Sequence, residues 1–360
     1  MNRPAPAITS HRLYSEPPRF YEAMLHDMEQ AERYIYLEMY KFGNDETGLL
    51  FREALTKAAT RGVHVKLLLD SWGVSYKEDF FSELSAKGGE VRFFRKIIYT
   101  FDFFTKNHRR NHRKFLLIDD NISYMGSANI TGYSLLWRES MIRLTGGITL
   151  MFKRSFLESF RIYRKYIFNK FTFKKSKFID QFELVEDMPS IYRQRLKTKL
   201  ERLINKAKKE IIIETPYFLP GHKMRKCLAD AAQRGVKVKI LLPRHSDVRA
   251  IDLLSSKYYG YYYSNNISLS FYTLNNLHAK LLLIDNEIFG IGSPNIDYRS
   301  FRYQHEVMLF GTHKGIAEEV KRHVEETMLN CLEFDHVSWM RRPKIEKALG
   351  WFLLPFRHMF

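Results

Sequence analysis

The chain has 360 residues, enough for about two domains of ordinary size. A 45% hydrophobic content without a long polar tract excludes disorder as the main state, and two cysteines, Cys227 and Cys331, exclude a disulfide framework. The net charge of +18 calls for an anionic partner: nucleic acid, an acidic membrane surface or a phosphate-bearing substrate.

The first twenty residues lack an apolar core of signal-peptide length. No apolar run reaches the ~18 residues needed to span a bilayer, so a soluble or peripheral, cytosol-facing protein is expected. Helical spacing begins at Pro18 and runs to Glu32, with Phe20, Met24 and Met28 four residues apart. "RYIYLEMY" reads as a strand. The helix after it has Thr47 as its expected cap and Gly62 as its stop. "VHVKLLLD" is a second strand, aliphatic enough to be covered on both faces. Strands alternating with helices predict a mixed, mostly parallel sheet flanked by helices.

From Asn107 the chain reads "NHRRNHRKFLLIDDNISYMGSAN". Beyond a segment at Gly146–Pro189, expected to hold a linker, a helix near Ser190–Ala207 opens a second round of the same design. "AERYIYLEMYKF" (31–42) matches "AKKEIIIETPYF" (207–218), and "ALTKAATRGVHVKLLLD" (54–70) matches "CLADAAQRGVKVKILLP" (227–243). The second round arrives at "LHAKLLLIDNEIFGIGSPN" (277–295). A period this long is a duplicated domain, not a solenoid.

Both copies carry His-x-Lys, then Asp, then Gly-Ser-x-Asn at identical spacing: His112, Lys114, Asp119, Ser127 and Asn129, and His278, Lys280, Asp285, Ser293 and Asn295. Residues i and i+2 of a strand share a face, so His112 and Lys114 project together, as do His278 and Lys280. A single His-x-Lys before an apolar strand carries almost no information. Duplication could preserve a structural strand–turn–strand, but that would not require His, Lys and Asn, which contribute poorly to a core. Two facing units bring imidazoles, ammonium groups, hydroxyls and carboxamides together, a donor-rich set suited to a phosphodiester. One imidazole can attack phosphorus while the other protonates the departing alkoxide. The lysines supply the positive charge, so neither a metal nor another cofactor is called for, and no carboxylate cluster suits a hard cation. Glu139 and Glu306 follow the two histidines by 27 and 28 residues and are expected to orient the imidazoles.

These paired motifs resemble the phospholipase D superfamily, whose signature is the doubled His-Lys-Asp motif. Within it the chain looks most like bacterial cardiolipin synthases, on "TPYFLPG" (215–221), "ILLPRHSD" (240–247), "SKYYGYYY" (256–263) and "GSPNIDYRSFRYQHEV" (292–307). The resemblance implies an α/β fold of two similar phospholipase D-like domains related by a pseudo-twofold axis, with the active site between them. Residues 1–150 and 190–340 are the expected domains, 151–189 a basic aromatic linker or insertion, and 341–360 a basic apolar tail. It further implies phosphatidyl transfer between two phosphatidylglycerol molecules through a phosphohistidine, releasing glycerol. His112 would be the nucleophile and His278 the general acid and then base, an assignment the near-symmetric sequence does not itself make. Ser127, Asn129, Ser293 and Asn295 are expected to bind substrate, and Lys114, Lys280, Asp119, Asp285, Glu139 and Glu306 to complete the catalytic set. Many members begin with two membrane-spanning helices. This chain has none, as in the shorter peripheral members.

Two segments could meet an anionic leaflet, expected to be the cytoplasmic face of a bacterial inner membrane. In Phe152–Phe178 aromatic residues interleave with Lys and Arg, although its partly helical spacing also fits an aromatic stripe packed on the core. The other is the tail "RRPKIEKALGWFLLPFRHMF". A hydrolase of the same superfamily would differ only in water replacing the acceptor alcohol. A nuclease would use the same histidines but commonly carries one motif per chain, so nucleic acid is not the expected partner. The sequence leaves a homo-oligomer open.

Overall fold

The computed structural model describes residues 6–74, 78–95, 108–164, 176–190, 193–357 and 359. Strand β1 (Ser10–Tyr14) leads into helix α1 (Pro17–Glu29), which starts on a proline pair and buries Phe20, Met24 and Met28. Strand β2 (Tyr34–Met39) is buried along its whole length. Helix α2 (Glu46–Thr60) is capped by Asp45, whose carboxylate accepts the Gly48 N–H at 3.0 Å. Thr47, the expected cap, lies inside the helix and is buried. Gly62, at φ +88°, ends the helix as expected. The half continues through β3 (His64–Asp70), α3 (Ser82–Ala86), β4 (Glu90–Phe94), β5 (Arg110–Asn111), β6 (Phe115–Ile118), β7 (Ile122–Gly126), β8 (Met141–Thr145) and α4 (Ile148–Ile162).

The second half holds β9 (Lys177–Ile179), β10 (Phe182–Asp187), α5 (Arg195–Lys206), β11 (Glu210–Glu214), α6 (His222–Gln233) and β12 (Lys237–Pro243). There follow α7 (Arg249–Ser256), α8 (Tyr259–Ser264), β13 (Ile267–Tyr272), β14 (Leu281–Ile284), β15 (Ile288–Gly292) and α9 (Tyr298–Tyr303). β16 (Gln304–Gly311), α10 (Lys314–Met328), β17 (Cys331–Glu333), α11 (His336–Met340) and α12 (Lys344–Phe352) complete it.

Duplication is plain in the strand orders. The first sheet runs β1-β8-β7-β6-β2-β3-β4, and the second repeats that succession as β10-β16-β15-β14-β11-β12-β13, with β9 and β17 at its edges. Both sheets are mixed, and apart from the short β5–β16 pair the parallel pairing lies in β2-β3-β4 and β11-β12-β13. The other pairs are antiparallel, so the expectation of mostly parallel sheets is corrected. The cause is local. After β6 and β14 the chain reverses through consecutive left-handed residues, Asp119-Asp120 and Asp285-Asn286, which Asp and Asn tolerate.

One core joins the halves. Phe115, Leu117 and Met125 of the first sheet share a cluster with Leu283, Phe289 and Leu309 of the second. Helices α4 and α10 occupy corresponding places in the two halves and feed the same cluster. Phe152, Phe156 and Phe160 of α4 are buried there, so this stretch of the expected linker is core helix and does not present its aromatic residues to a membrane. The rest of that segment's basic aromatic run, 165–175, lies outside the described residues. In the tyrosine run, Tyr262 is buried against Phe218, and Tyr259 packs on Phe271 and Phe334. Among the described residues no helix is long and apolar enough to cross a membrane. Both cysteines are free.

Candidate active site

Alternation through Arg110–Lys114 sends Arg113 away from its neighbours. Its guanidinium donates to Ser155 and Ser159 of α4 at 2.6 and 2.8 Å, while His112 and Lys114 face the other way. Two reciprocal exchanges then assemble the site. Strand β5 leaves its own half and pairs in parallel with Gln304–His305, and the His112 N–H donates to the His305 carbonyl at 3.0 Å. In the mirror event Leu277 bridges to Arg138, and the His278 N–H donates to the Arg138 carbonyl at 2.7 Å.

Each histidine is therefore laid beside the carboxylate of the other half. His112 Nδ1 lies 3.0 Å from Glu306 Oε1, and His278 Nδ1 lies 2.8 Å from Glu139 Oε1. A carboxylate accepts, so Nδ1 of each ring carries the hydrogen and Nε2 is left for chemistry. The second oxygen of Glu139 accepts from Ser127 Oγ at 2.5 Å, and that of Glu306 accepts from Ser293 Oγ. Both serines, expected to bind substrate, are instead fully buried behind the carboxylates. Their hydroxyls also accept the Ser140 and Val307 N–H groups, at 2.7 and 3.0 Å. Their neighbours Gly126 and Gly292 have no room for a Cβ, which would fall 1.9 Å from the Ser140 carbonyl oxygen and 2.3 Å from that of Val307.

Lys114 and Lys280 are buried, and each ammonium donates to the carbonyl of its own histidine at 2.6 Å. Asp119 and Asp285 are not part of this cluster. They sit at the far ends of β6 and β14, accepting the backbone N–H groups of residues 32–34 and 208–210 and so tying each hairpin to the strand beside it. Asn129 and Asn295 do reach the site. Together with both imidazoles they line a cleft of about 380 Å³. Lys41 N–H donates to Asn129 Oδ1 at 3.2 Å, which leaves the amide N–H₂ for a ligand.

Lys41, Trp137, Tyr217, Asp247 and Arg299 also border the cleft and were not singled out from sequence. The repeat held the signal for one pair: aligning 31–42 with 207–218 sets Lys41 against Tyr217. Trp137 packs 5.2 Å from the His278 ring and Tyr40 packs 4.9 Å from His112. Among the described residues no group of three or more His, Cys, Asp or Glu is arranged to hold a metal.

The two pairs differ electrically. Burial, reinforced by Lys114, Lys280 and His278, pushes the His112 imidazole well below its ordinary range. Burial also pushes Glu306 up to about 8. Burial lowers His278 too, but Glu139 opposes it. Burial acts to raise Glu139, yet His278 and Lys280 outweigh it and hold that carboxyl below its usual range. The first ring is thus favoured uncharged, and the second sits on an ionised partner.

The sequence matches the family described as cardiolipin synthase, PLD-like domain, over residues 24–153 and 200–328. A cardiolipin synthase of Clostridium perfringens (strain 13 / Type A) is 30% identical over 351 residues, covering 93% of this chain and 74% of that protein. The major cardiolipin synthase ClsA of Bacillus subtilis (strain 168) is 29% identical over 352 residues, covering 93% and 73%. The crystal structure of a phosphatidylserine synthase from Haemophilus influenzae Rd KW20 superposes with a TM-score of 0.76 at 14% identity, covering 100% of this chain and 98% of that one. That last likeness speaks for the fold. With both repeats matched and the histidine and asparagine of each motif bordering one cleft, the chain belongs to the cardiolipin synthase, PLD-like domain family of the phospholipase D superfamily.

Proposed function

We propose that the protein is a phosphatidyltransferase that forms cardiolipin from two phosphatidylglycerol molecules through a phosphohistidine at His112. The observation that carries this reading is the crossed pairing: two imidazoles from different halves border one cleft, each with Nδ1 on a carboxylate and Nε2 available. In the first step His112 Nε2 attacks phosphorus, a P–N bond forms, and the P–O bond to glycerol breaks. His278 gives its proton to the departing oxygen. In the second, the hydroxyl of an acceptor phosphatidylglycerol gives its proton to His278 and attacks phosphorus. The P–N bond breaks and His112 is restored. Lys114 and Lys280 supply positive charge near the phosphoryl oxygens, and Asn129 and Asn295 offer fixed dipoles. The uncharged His112 suits the nucleophile, and the ionised Glu139 suits a His278 that must hold a proton. The cardiolipin synthases it resembles support this product.

Incubation with phosphatidylglycerol vesicles, followed by mass spectrometry, should yield cardiolipin and glycerol. Phosphatidic acid without cardiolipin would make the protein a hydrolase, and no lipid turnover would overturn the reading.

The pH profile follows from three groups. Glu306, raised by burial to about 8, must be ionised to take the His112 Nδ1 hydrogen. Lys280, lowered by burial to about 8, must be charged, and His278, also lowered by burial, must hold its proton. Rising pH gains the first and loses the other two, so the kcat/KM profile should be bell-shaped. A flat profile between pH 6 and 10 would contradict it.

The membrane contact of this reading is the C-terminal face. Trp351 and Phe352 are 66% and 70% exposed, with Arg341 and Lys344 exposed nearby. Aromatic residues beside cations suit an anionic lipid surface, and the two rings together should contribute about 3 kcal/mol or more on insertion. Trp351→Ala with Phe352→Ala should weaken co-flotation with phosphatidylglycerol vesicles about a hundredfold. Unchanged flotation would remove this face from membrane contact.

A further inference from the structure

Three large apolar side chains are exposed around the mouth of the catalytic cleft. Trp72 and Tyr133 line the cleft and are 44% and 54% exposed, and Leu136 beside them is 74% exposed. Leu136 has no inward option. Leu135 before it packs on the first-half core, and Trp137 after it packs against the His278 ring. The turn that carries it is pinned: Asp45 accepts the Gly132 N–H at 2.7 Å, and the Trp137 N–H donates to the Ser134 carbonyl at 3.0 Å. Lys41 joins the three into one lip. Its ammonium donates to the Tyr133 hydroxyl at 3.0 Å. Gly73, next to Trp72, has no room for a Cβ, which would fall 1.8 Å from the Tyr40 carbonyl oxygen and 3.2 Å from Lys41 Cγ. Single exposed apolar residues are ordinary, but a contiguous group beside a cleft marks a contact surface.

The opposite lip is cationic, and the repeat shows how the two diverged. Four and seven residues after Asn129 stand Tyr133 and Leu136, whereas four and seven after Asn295 stand Arg299 and Arg302. The two arginines lie three apart on α9 and so share a face, with Arg299 lining the cleft. The Arg302 guanidinium is 5.3 Å from the Tyr298 ring, and that of Arg357, just after α12, is 5.9 Å from the same ring. The cationic lip thereby continues into the C-terminal face that exposes Trp351 and Phe352. Two acids stand beside it. Asp297 is buried as the cap of α9, and the exposed Asp247 accepts the Tyr217 hydroxyl at 2.5 Å, one carboxylate against three guanidinium groups.

We propose that the cleft mouth docks on an anionic phospholipid leaflet. Trp72, Tyr133 and Leu136 enter the boundary between headgroups and acyl chains, and Arg299 and Arg302 meet the phosphates. The surface rests on the phosphatidyl-transfer reading, which makes the substrate a leaflet lipid, and it adds how that lipid arrives. Trp351 and Phe352 hold the protein to the membrane, whereas the mouth turns the cleft toward it. A headgroup then rises from the leaflet to the imidazoles while its acyl chains stay along the apolar lip. One lip of each kind suits a substrate with an anionic head and apolar tails. Two cationic lips would hold headgroups and leave the chains in water.

The test compares one variant on two forms of the substrate. Leu136→Glu changes an exposed side chain, and the fold should tolerate it. Glycerol release is measured from phosphatidylglycerol vesicles, at a lipid concentration where all the protein co-floats, and from dihexanoyl phosphatidylglycerol dissolved as monomers. The variant should be at least tenfold slower than the parent on vesicles and within twofold of it on the monomers. Leu136→Phe, which keeps an apolar group on the lip, should match the parent on both. A vesicle rate within twofold of the parent's would overturn the docking surface, as would an equal loss on both substrates. Should the parent release glycerol from neither, the transfer reading itself would fall and the docking surface with it.

Discussion

The His112→Ala enzyme is expected to lose turnover of phosphatidylglycerol by about 10⁴-fold or more, and His278→Ala by about 10²–10⁴-fold. The difference follows from what each ring does. Without His112 no atom of the cleft takes its place at phosphorus, since Lys114 and Lys280 are committed to backbone carbonyls. Without His278 the nucleophile remains, but glycerol must leave as an unprotonated alkoxide. A phosphodiester with a nitrophenol leaving group needs no such proton. His278→Ala should therefore release nitrophenol in a first turnover near the parent rate, whereas His112→Ala should release none. Burst-phase measurements on the two variants separate the roles. Equal bursts, or an active His278→Ala enzyme on phosphatidylglycerol, would contradict the division of labour.

The second large effect is expected at Glu139. Its carboxylate opposes the burial that drives His278 toward the neutral form. In Glu139→Gln the side chain can still accept from Nδ1 but carries no charge. His278 should then lose its proton at neutral pH and kcat should fall by about 10²–10⁴. The alkaline side of the kcat profile should move toward lower pH, a change that a merely loosened structure would not produce. Glu139→Ala adds a structural loss. It leaves Ser127 and His278 without their common acceptor at the junction of the halves, a deletion that costs about 3–5 kcal/mol when a buried pair is broken. A Glu139→Gln enzyme with the parent's rate and pH profile would show that the crossed carboxylate does not govern protonation.

Features set by local geometry could be read from sequence. The repeat, the shared projection of His112 with Lys114, and the carboxylates at Glu139 and Glu306 all follow from spacing and alternation. The crossing of the carboxylates could not be read. It depends on β5 pairing with β16 and Leu277 with Arg138, contacts between halves that no local pattern encodes. Asp119 and Asp285 show a related difficulty. Five residues of strand beyond Lys114 and Lys280 carry the chain about 16 Å, so a fixed spacing in the motif is also a fixed distance away from the cleft. Ser127 and Ser293 share a motif with Asn129 and Asn295, yet the serines sit behind the glutamates and the asparagines line the cleft. Phe152, Phe156 and Phe160 illustrate composition against context: the basic aromatic pattern fits lipid and core alike, and the cluster they share with the second half decides for core.

The most direct measurement is to mix the enzyme with phosphatidylglycerol, quench in alkali within one turnover, and map covalent adducts by peptide mass spectrometry. A phosphatidyl group on the peptide carrying His112, absent from His112→Ala and discharged when glycerol is added in excess, is the predicted result. No adduct on either histidine, or one on His278 alone, would contradict it.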